Sequence, residues 1–348
     1  MQNTEKIFDQ LLAIDNIDKE IYNDDKSVYN NFIDSLNKEI DGAYNLNNSE
    51  SHLILQKIMY KINRLKLFWY DDLNNYKNES SMFINDIRNR IEADWQKWEL
   101  SQLPLQKISE ISNIEEYMVK MCMDDLEPKP ASIGQKYLAE EISLNGYKKV
   151  LEIFSIDALA EASWLAWSLG GQVSQTQLTL SRIFIEEYGN GKLQHKHSTY
   201  FKNMLEELNL NTQPEYYLDS VTWEFLATVN HFFMMANWKK LYLKFVGSFL
   251  YMELNTPSAF HYYNQATERL NVNNQGKSYW SIHIIEDKRH GEWMLNEAAL
   301  PLAKMYPQKA YEIIVGYQQQ KNISNRSGMS IVEAAKKAES QKNRINAL

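Results

Sequence analysis

The spacing of apolar residues constrains this chain more than any other feature. In Leu53-Ile54-Leu55-Gln56-Lys57-Ile58-Met59-Tyr60-Lys61-Ile62 the apolar side chains recur at helical spacing. Runs that alternate polar with β-branched residues are scarce, and only 12 Gly and 7 Pro interrupt 348 residues. An all-α fold follows. At this length the chain can bury a large core and form two domains. Glu127-Pro128-Lys129-Pro130 is the clearest boundary, because two prolines in three residues end a helix. Residues 1–127 read as an N-terminal helical region of structural or dimerising character, holding one of the seven histidines, His52. Residues 128–320 read as the chemical domain. Helices are expected there near 133–154, 157–168, 174–188, 197–208, 216–245, 246–270, 277–305 and 307–320. Gly170-Gly171, Gly189-Asn190-Gly191, 211–214 and 271–276 punctuate them. Residues 321–348 are polar with one apolar patch, a peripheral helix or a frayed tail.

Composition excludes several classes of function. The net charge is −8 and no Lys/Arg block stands out, which gives nucleic-acid binding no electrostatic support. Cys122 is the single cysteine, so an intrachain disulfide, a thiolate metal site and a catalytic CxxC are all ruled out. The N-terminus lacks the charged-then-apolar pattern of a secretion signal, and the apolar run at 231–236 is far too short to span a bilayer. A cytoplasmic protein with no membrane partner is expected. No P-loop, GxGxxG or Ser-His-Asp order appears, so nucleotide binding and nucleophilic hydrolysis lack positive support.

The chemistry-bearing residues are carboxylates and imidazoles. His283, Asp287 and His290 stand at i, i+4 and i+7 and share one helical face, a ligand set suited to iron, manganese or zinc. That face runs about 10 Å along the axis, long for one metal; two metals roughly 3.5–4 Å apart, or a locally distorted helix, would accommodate it. The interleaved Glu286, Lys288 and Arg289 fit equally a solvated charged face. In Glu187-Tyr188-Gly189-Asn190-Gly191 the glycines can turn the chain, so that a helix closing on Glu187 is followed by one opening at His195 or His197. Glu253 and Glu161 are single acids in apolar helical runs; taken alone each reads as a helix-surface acid. His231 and His261 read as core or pocket histidines. Trp164, Trp167, Phe233 and Tyr251 are the aromatic residues from which a substrate cavity would be built.

As a set, Glu187 with His197 ten residues on, then Glu253, then His283-x3-Asp287-x2-His290, resembles the haem-oxygenase-like di-iron oxidases and oxygenases. The resemblance covers roughly residues 130–320. It implies a haem-oxygenase-like helical bundle holding two irons rather than haem. The implied ligands are Glu187, His197, Glu253, His283, Asp287 and His290, with His195 as the alternative to His197. Glu161, 26 residues before Glu187, is similar to the extra carboxylate ligand of the family's N-oxygenating branch. The N-terminal region likewise resembles that branch's dimerisation segment, which implies a homodimer. The branch's type member carries a C-terminal cupin domain; this sequence stops short of one, so a cupin-dependent rearrangement is not expected. The resemblance implies an O2-dependent di-iron N-oxygenase of natural-product biosynthesis. It would act on an amine or guanidine nitrogen of an amino-acid-like substrate, with an external electron donor or reductase returning the iron to Fe(II). Desaturation, oxidative decarboxylation or C–C fragmentation on the same fold is the alternative, and a metal-free helical binding protein a further one.

Overall fold

The computed structural model describes residues 3–21, 26–68, 73–171, 174–272 and 278–346. Among them no strand occurs, and the helical segments run the length of the chain. Contacts divide the chain into two compact units, Met1–Leu103 and Pro104–Leu348.

The first unit is built from α1 (Thr4–Leu12), α2 (Lys26–Tyr44), α3 (Ser49–Arg64) and α4 (Met82–Ser101). Three of them start where a short polar side chain takes up free backbone N–H groups: Asn3 for Glu5, Asn48 for Glu50 and Ser51, Ser81 for Ile84. Asp18 adds a second cap to α4, accepting the N–H groups of Met82 and Phe83 at 2.8 and 3.1 Å. Phe8, Phe32, Leu36, Ile58, Phe83 and Ile87 are fully buried between these helices. Lys61, one of the buried cations here, is paired with Glu5 and Asp9. Among the described residues this unit has no group of carboxylates and imidazoles able to hold a metal.

The second unit contains α5 (Ile114–Leu126), α6 (Leu144–Ala158), α7 (Gln175–Glu187), α8 (His197–Glu207), α9 (Trp223–Asn237), α10 (Tyr242–Arg269), α11 (Tyr279–Trp293) and α12 (Tyr311–Asn346). The 28-residue α10 packs against both α11 and α12, while α12 also covers α6 and α9. The crossing of α10 and α12 is made by two glycines. A Cβ on Gly247 would collide with the Ile313 carbonyl, and one on Gly316 with the Lys244 carbonyl. Ser248 donates to the Gly316 carbonyl at 3.0 Å beside them.

Several expected boundaries move for physical reasons. Gly247 looks like a helix start in the sequence; it is instead the close-packing point inside α10, and the break falls at 238–241. Residues 157–168 are not one helix: α6 stops at Ala158, and a 3-10 turn follows at Ser163–Ser168. Pro128 and Pro130 follow the end of α5 inside the second unit, where Tyr317 and Lys321 of α12 bond to Asp125 of α5 at 2.9 and 2.5 Å. Residues 321–346 are neither tail nor peripheral helix. They continue α12 without a break and bury Ile323, Ile331 and Ala335. Of the expected punctuation at 271–276, residues 273–276 lie outside the described residues, as does Lys277, the expected start of α11.

Candidate metal centre

Five segments of the second unit bring carboxylates and imidazoles together. Glu187 is the last residue of α7 and His197 the first of α8. Between them Gly189, Asn190 and Gly191 all take positive φ (62°, 53° and 77°), which reverses the chain. The 195–196 backbone folds so closely over Gly189 that a Cβ there would meet the Lys196 nitrogen at 2.5 Å. This turn sets the His197 Nδ1 atom 2.7 Å from Glu187 Oε2. Glu253 projects from the middle of α10, four residues before Pro257, which has no N–H to give the Glu253 carbonyl. His283, Asp287 and His290 lie along α11. Glu161 is not a helix-surface acid: it sits in the turn after α6, next to Ala162 at φ 59°, a left-handed conformation that a side chain resists.

Three donor groups result; Glu186, Glu286 and His290 form one, and the other two, the donor clusters of the centre, share Glu187. In the first of these two, ligand atoms of Glu161, Glu187, His197 and His283 all lie within 4.8 Å of one another. His283 Nε2 is 3.0 Å from Glu161 Oε1 and 3.1 Å from His197 Nδ1. The second joins Glu187, Asp287 and His290. His290 Nδ1 lies 3.7 Å from Glu187 Oε1, 3.5 Å from Asp287 Oδ1 and 3.2 Å from Glu253 Oε2. The stripe on α11 is thus divided, His283 going to one cluster and Asp287 with His290 to the other. Residues 279–293 remain a regular α-helix, and the π-helical distortion comes only at Met294–Ala299. All seven residues singled out in the sequence fall in this constellation. His195 is exposed and outside it.

The residues present fit metal ions on two independent grounds. First, buried Glu161 Oε2 has no hydrogen-bond partner, and Glu187 Oε2 and Asp287 Oδ1 face the imidazole nitrogens of His197 and His290, at 2.7 and 3.5 Å, a costly concentration of carboxylates that a cation relieves. Second, each imidazole has its outward nitrogen held by an acceptor: His197 Nε2 by Glu286 at 3.2 Å, His290 Nε2 by Glu186 at 2.8 Å, His283 Nδ1 by the Tyr279 carbonyl at 2.6 Å. A proton fixed on the outward nitrogen leaves the inward lone pair for a metal. Glu186 and Glu286 therefore do more than face solvent. Arg289 also leaves that role, bonding Glu186 at 2.8 Å.

Electrostatics without metal show how strongly the groups act on one another. Burial alone would lower the His197 pKa, but the adjoining Glu187 carboxylate, helped by Glu286, raises it to about 11. Burial also opposes the charge on His283, yet Glu161 and Asp287 raise it to about 9. His290 is raised as well, Glu253 outweighing its burial. Glu187 moves the other way, its burial overcome by His197 and then His283 and His290, down to about 2. Burial, with Asp287 beside it, raises Glu253 to about 8, and burial raises Asp287 too.

A cavity of about 210 Å³ opens beside the centre, with Glu161, Glu187, Glu253, His283 and Asp287 in its wall. Of the four aromatic residues expected to line it, Trp164 and Tyr251 do so; Trp167 and Phe233 pair with each other at 5.3 Å and are not among its lining residues. His231 is a buried core histidine bonded to Gln320, its pKa lowered to about 4 by burial, whereas His261 is exposed. Residues that the sequence does not reveal are Asp157, one helical turn before Glu161 and in the cavity wall, and Tyr279, whose hydroxyl donates to Glu161 Oε1 at 2.6 Å. Burial and then the Glu161 carboxylate push Asp157 up to about 7, with His283 pulling against them. The i, i+4 spacing of Asp157 and Glu161 was the available signal.

Among the described residues no helix is long and apolar enough to cross a membrane. A nitrosourea synthase of Streptomyces achromogenes subsp. streptozoticus is 26% identical over 157 residues, which cover 44% of this chain and 32% of that protein. The chain thus spans about a third of that relative's length. A family described as "iron-containing redox enzyme" matches residues 148–321, half of the chain and the stretch that carries every residue of both donor clusters. With an all-helical bundle, such clusters and this match, the chain belongs to that family of iron-containing redox enzymes.

Proposed function

We propose that the protein is a non-haem di-iron N-oxygenase, which uses O2 to hydroxylate an amine or guanidine nitrogen of a small substrate in natural-product biosynthesis. Glu161, Glu187, His197 and His283 would hold one iron. Glu187, Glu253, Asp287 and His290 would hold the other, with Glu187 shared between them. Iron, when bound, supplies the one- and two-electron chemistry with O2 that no side chain here can supply. An external donor returns it to Fe(II).

The chain's own residues do the rest. Glu286, Glu186 and the Tyr279 carbonyl orient the three imidazoles. The Tyr279 hydroxyl fixes one oxygen of Glu161. Aromatic walls, among them Phe232, Phe249 and Phe260, keep bulk water from the reacting nitrogen. The first unit serves dimerisation.

One observation carries the reading toward nitrogen rather than carbon: Glu161 Oε1 stands 3.0 Å from His283 Nε2, inside the first cluster, where it can act as the additional carboxylate. The nitrosourea synthase, whose named product contains an oxidised nitrogen, agrees with it. The test is Fe(II)-loaded protein with 18O2 and a panel of amines and guanidines, read by mass, alongside Glu161→Ala. Incorporation of 18O at nitrogen that Glu161→Ala abolishes supports the proposal. Unchanged N-oxygenation in the variant contradicts the role of Glu161. Oxidation only at carbon favours desaturation, decarboxylation or fragmentation instead.

A further inference from the structure

The wall of the cavity is chemically one-sided. Its acidic and basic groups, phenols aside, are the carboxyls of Asp157, Glu161, Glu187, Glu253 and Asp287 and the imidazole of His283; among the described residues no lysine or arginine lines it. Lys196, which lies over the Tyr188 ring at 4.3 Å, is not among the wall residues. The remaining wall combines nine aromatic residues with other apolar ones and the neutral polar side chains of Thr228, Asn255, Thr256, Ser324 and Ser327, and the volume of about 210 Å³ is below the roughly 300–1,000 Å³ of clefts that take drug-sized ligands. With the irons balancing four of these carboxylates, a substrate carboxylate finds no lysine or arginine among the described wall residues and meets the unbalanced charge of Asp157, and burying like charges together is costly.

Charge balance singles out one residue. Of the five carboxylates in the cavity wall, Glu161, Glu187, Glu253 and Asp287 equal the charge of two Fe(II) ions; Glu186 and Glu286 lie outside the wall, on the outward nitrogens of His290 and His197. Asp157 is left over. It lines the same cavity, and among the described residues its carboxyl makes no hydrogen bond or ion pair. A monocation placed against it restores neutrality, and the aromatic faces around it favour a cation as well.

We propose that the substrate is a small amine without a carboxylate, recognised by an ion pair between its nitrogen and Asp157. This rests on the two-iron reading above and narrows it: the substrate is an amine rather than an α-amino acid. A reaction that removes or never installs the carboxyl group must therefore precede this one.

The test compares matched pairs on the Fe(II)-loaded protein under anaerobic conditions by titration calorimetry: phenethylamine against phenylalanine, tyramine against tyrosine, agmatine against arginine. At least one amine binds tenfold or more tightly than its amino acid. Asp157→Asn weakens that amine tenfold or more, leaves 2-phenylethanol binding unaltered, and still takes up two irons per chain. If no amine outbinds its amino-acid partner, the proposal is overturned whatever the variant does, and a variant that binds the amine as wild type does overturns the role of Asp157. Amine binding that depends on Asp157 without N-oxygenation upholds the substrate class and sinks the proposed reaction, so the two failures are distinguishable.

Discussion

Loading the centre with metal must expel protons, and the number is set by the structure. Without metal at pH 7.5, His197 (about 11) and His283 (about 9) carry a proton on each imidazole, as does His290, which is also raised. Glu253, at about 8, is more than half protonated at that pH. A metal takes the inward nitrogen of each ring, and that nitrogen gives up its proton. Uptake of two divalent ions at pH 7.5 should therefore release about three to four protons per chain. The overall loading constant should rise about a thousand- to ten-thousandfold per pH unit between pH 7 and 8. By pH 10 both His283 and Glu253 have already lost their protons, and the release falls to about two, from His197 and His290. Anaerobic titration with Fe(II) in buffers of different ionisation enthalpy measures the count directly. Release of less than one proton would mean that the histidines are neutral without metal, and the mutual electrostatics of Glu187 with His197 and Glu253 with His290 would be refuted.

Three other outcomes are expected. Glu286→Gln removes the carboxylate that holds His197 Nε2 at 3.2 Å, and iron affinity should fall about 10–100-fold with the helical content intact, read by Fe(II) titration and circular dichroism; unchanged affinity contradicts the orienting role. Gly247→Ala drives a methyl group into the Ile313 carbonyl, costing about 1–3 kcal/mol, and the second unit should melt about 2–4 °C lower per kcal/mol; an unaltered Tm means that the helices part without cost. In the metal-free protein the folded pKa of His283 is raised from 6.5 to about 9, so its contribution is complete below pH 6.5 and lost as pH rises through 9. Glu253, raised from 4.5 to about 8, acts in the same sense, since the penalty for burying it ionised grows over that interval. The metal-free protein should melt lower at pH 9 than at pH 6, and a Tm that rises between them contradicts this sign.

What could be read from sequence follows from how locally each feature is encoded. The stripe His283, Asp287, His290 is legible because helical period alone puts it on one face, and the Glu187–His197 pair because two glycines announce the reversal between them. The partners of those histidines were not legible. Glu186 and Glu286 each adjoin a residue of the centre or of its stripe, and at one-residue spacing they point some 100° away, where an acid looks like solvent-facing charge. Only the meeting of α7, α8 and α11 turns them inward to His290 and His197. Glu161 reads as helical because its neighbours are small and apolar; the left-handed Ala162 after the helix has no signature in an alanine. Gly247 shows the converse, a residue that punctuates most helices but here permits two of them to touch. The C-terminal half of α12 reads as a peripheral helix or a tail because its buried stripe is thin, Ile323, Ile331 and Ala335 within an otherwise polar run.

The central claim is that Glu187 stands between two iron sites. Crystals exposed to Fe(II) without oxygen, with data collected across the iron absorption edge, test it most directly. The account predicts two anomalous peaks, one beside Glu161, His197 and His283 and one beside Glu253, Asp287 and His290, with Glu187 in contact with both. A single peak, or iron bound away from Glu187, would contradict it.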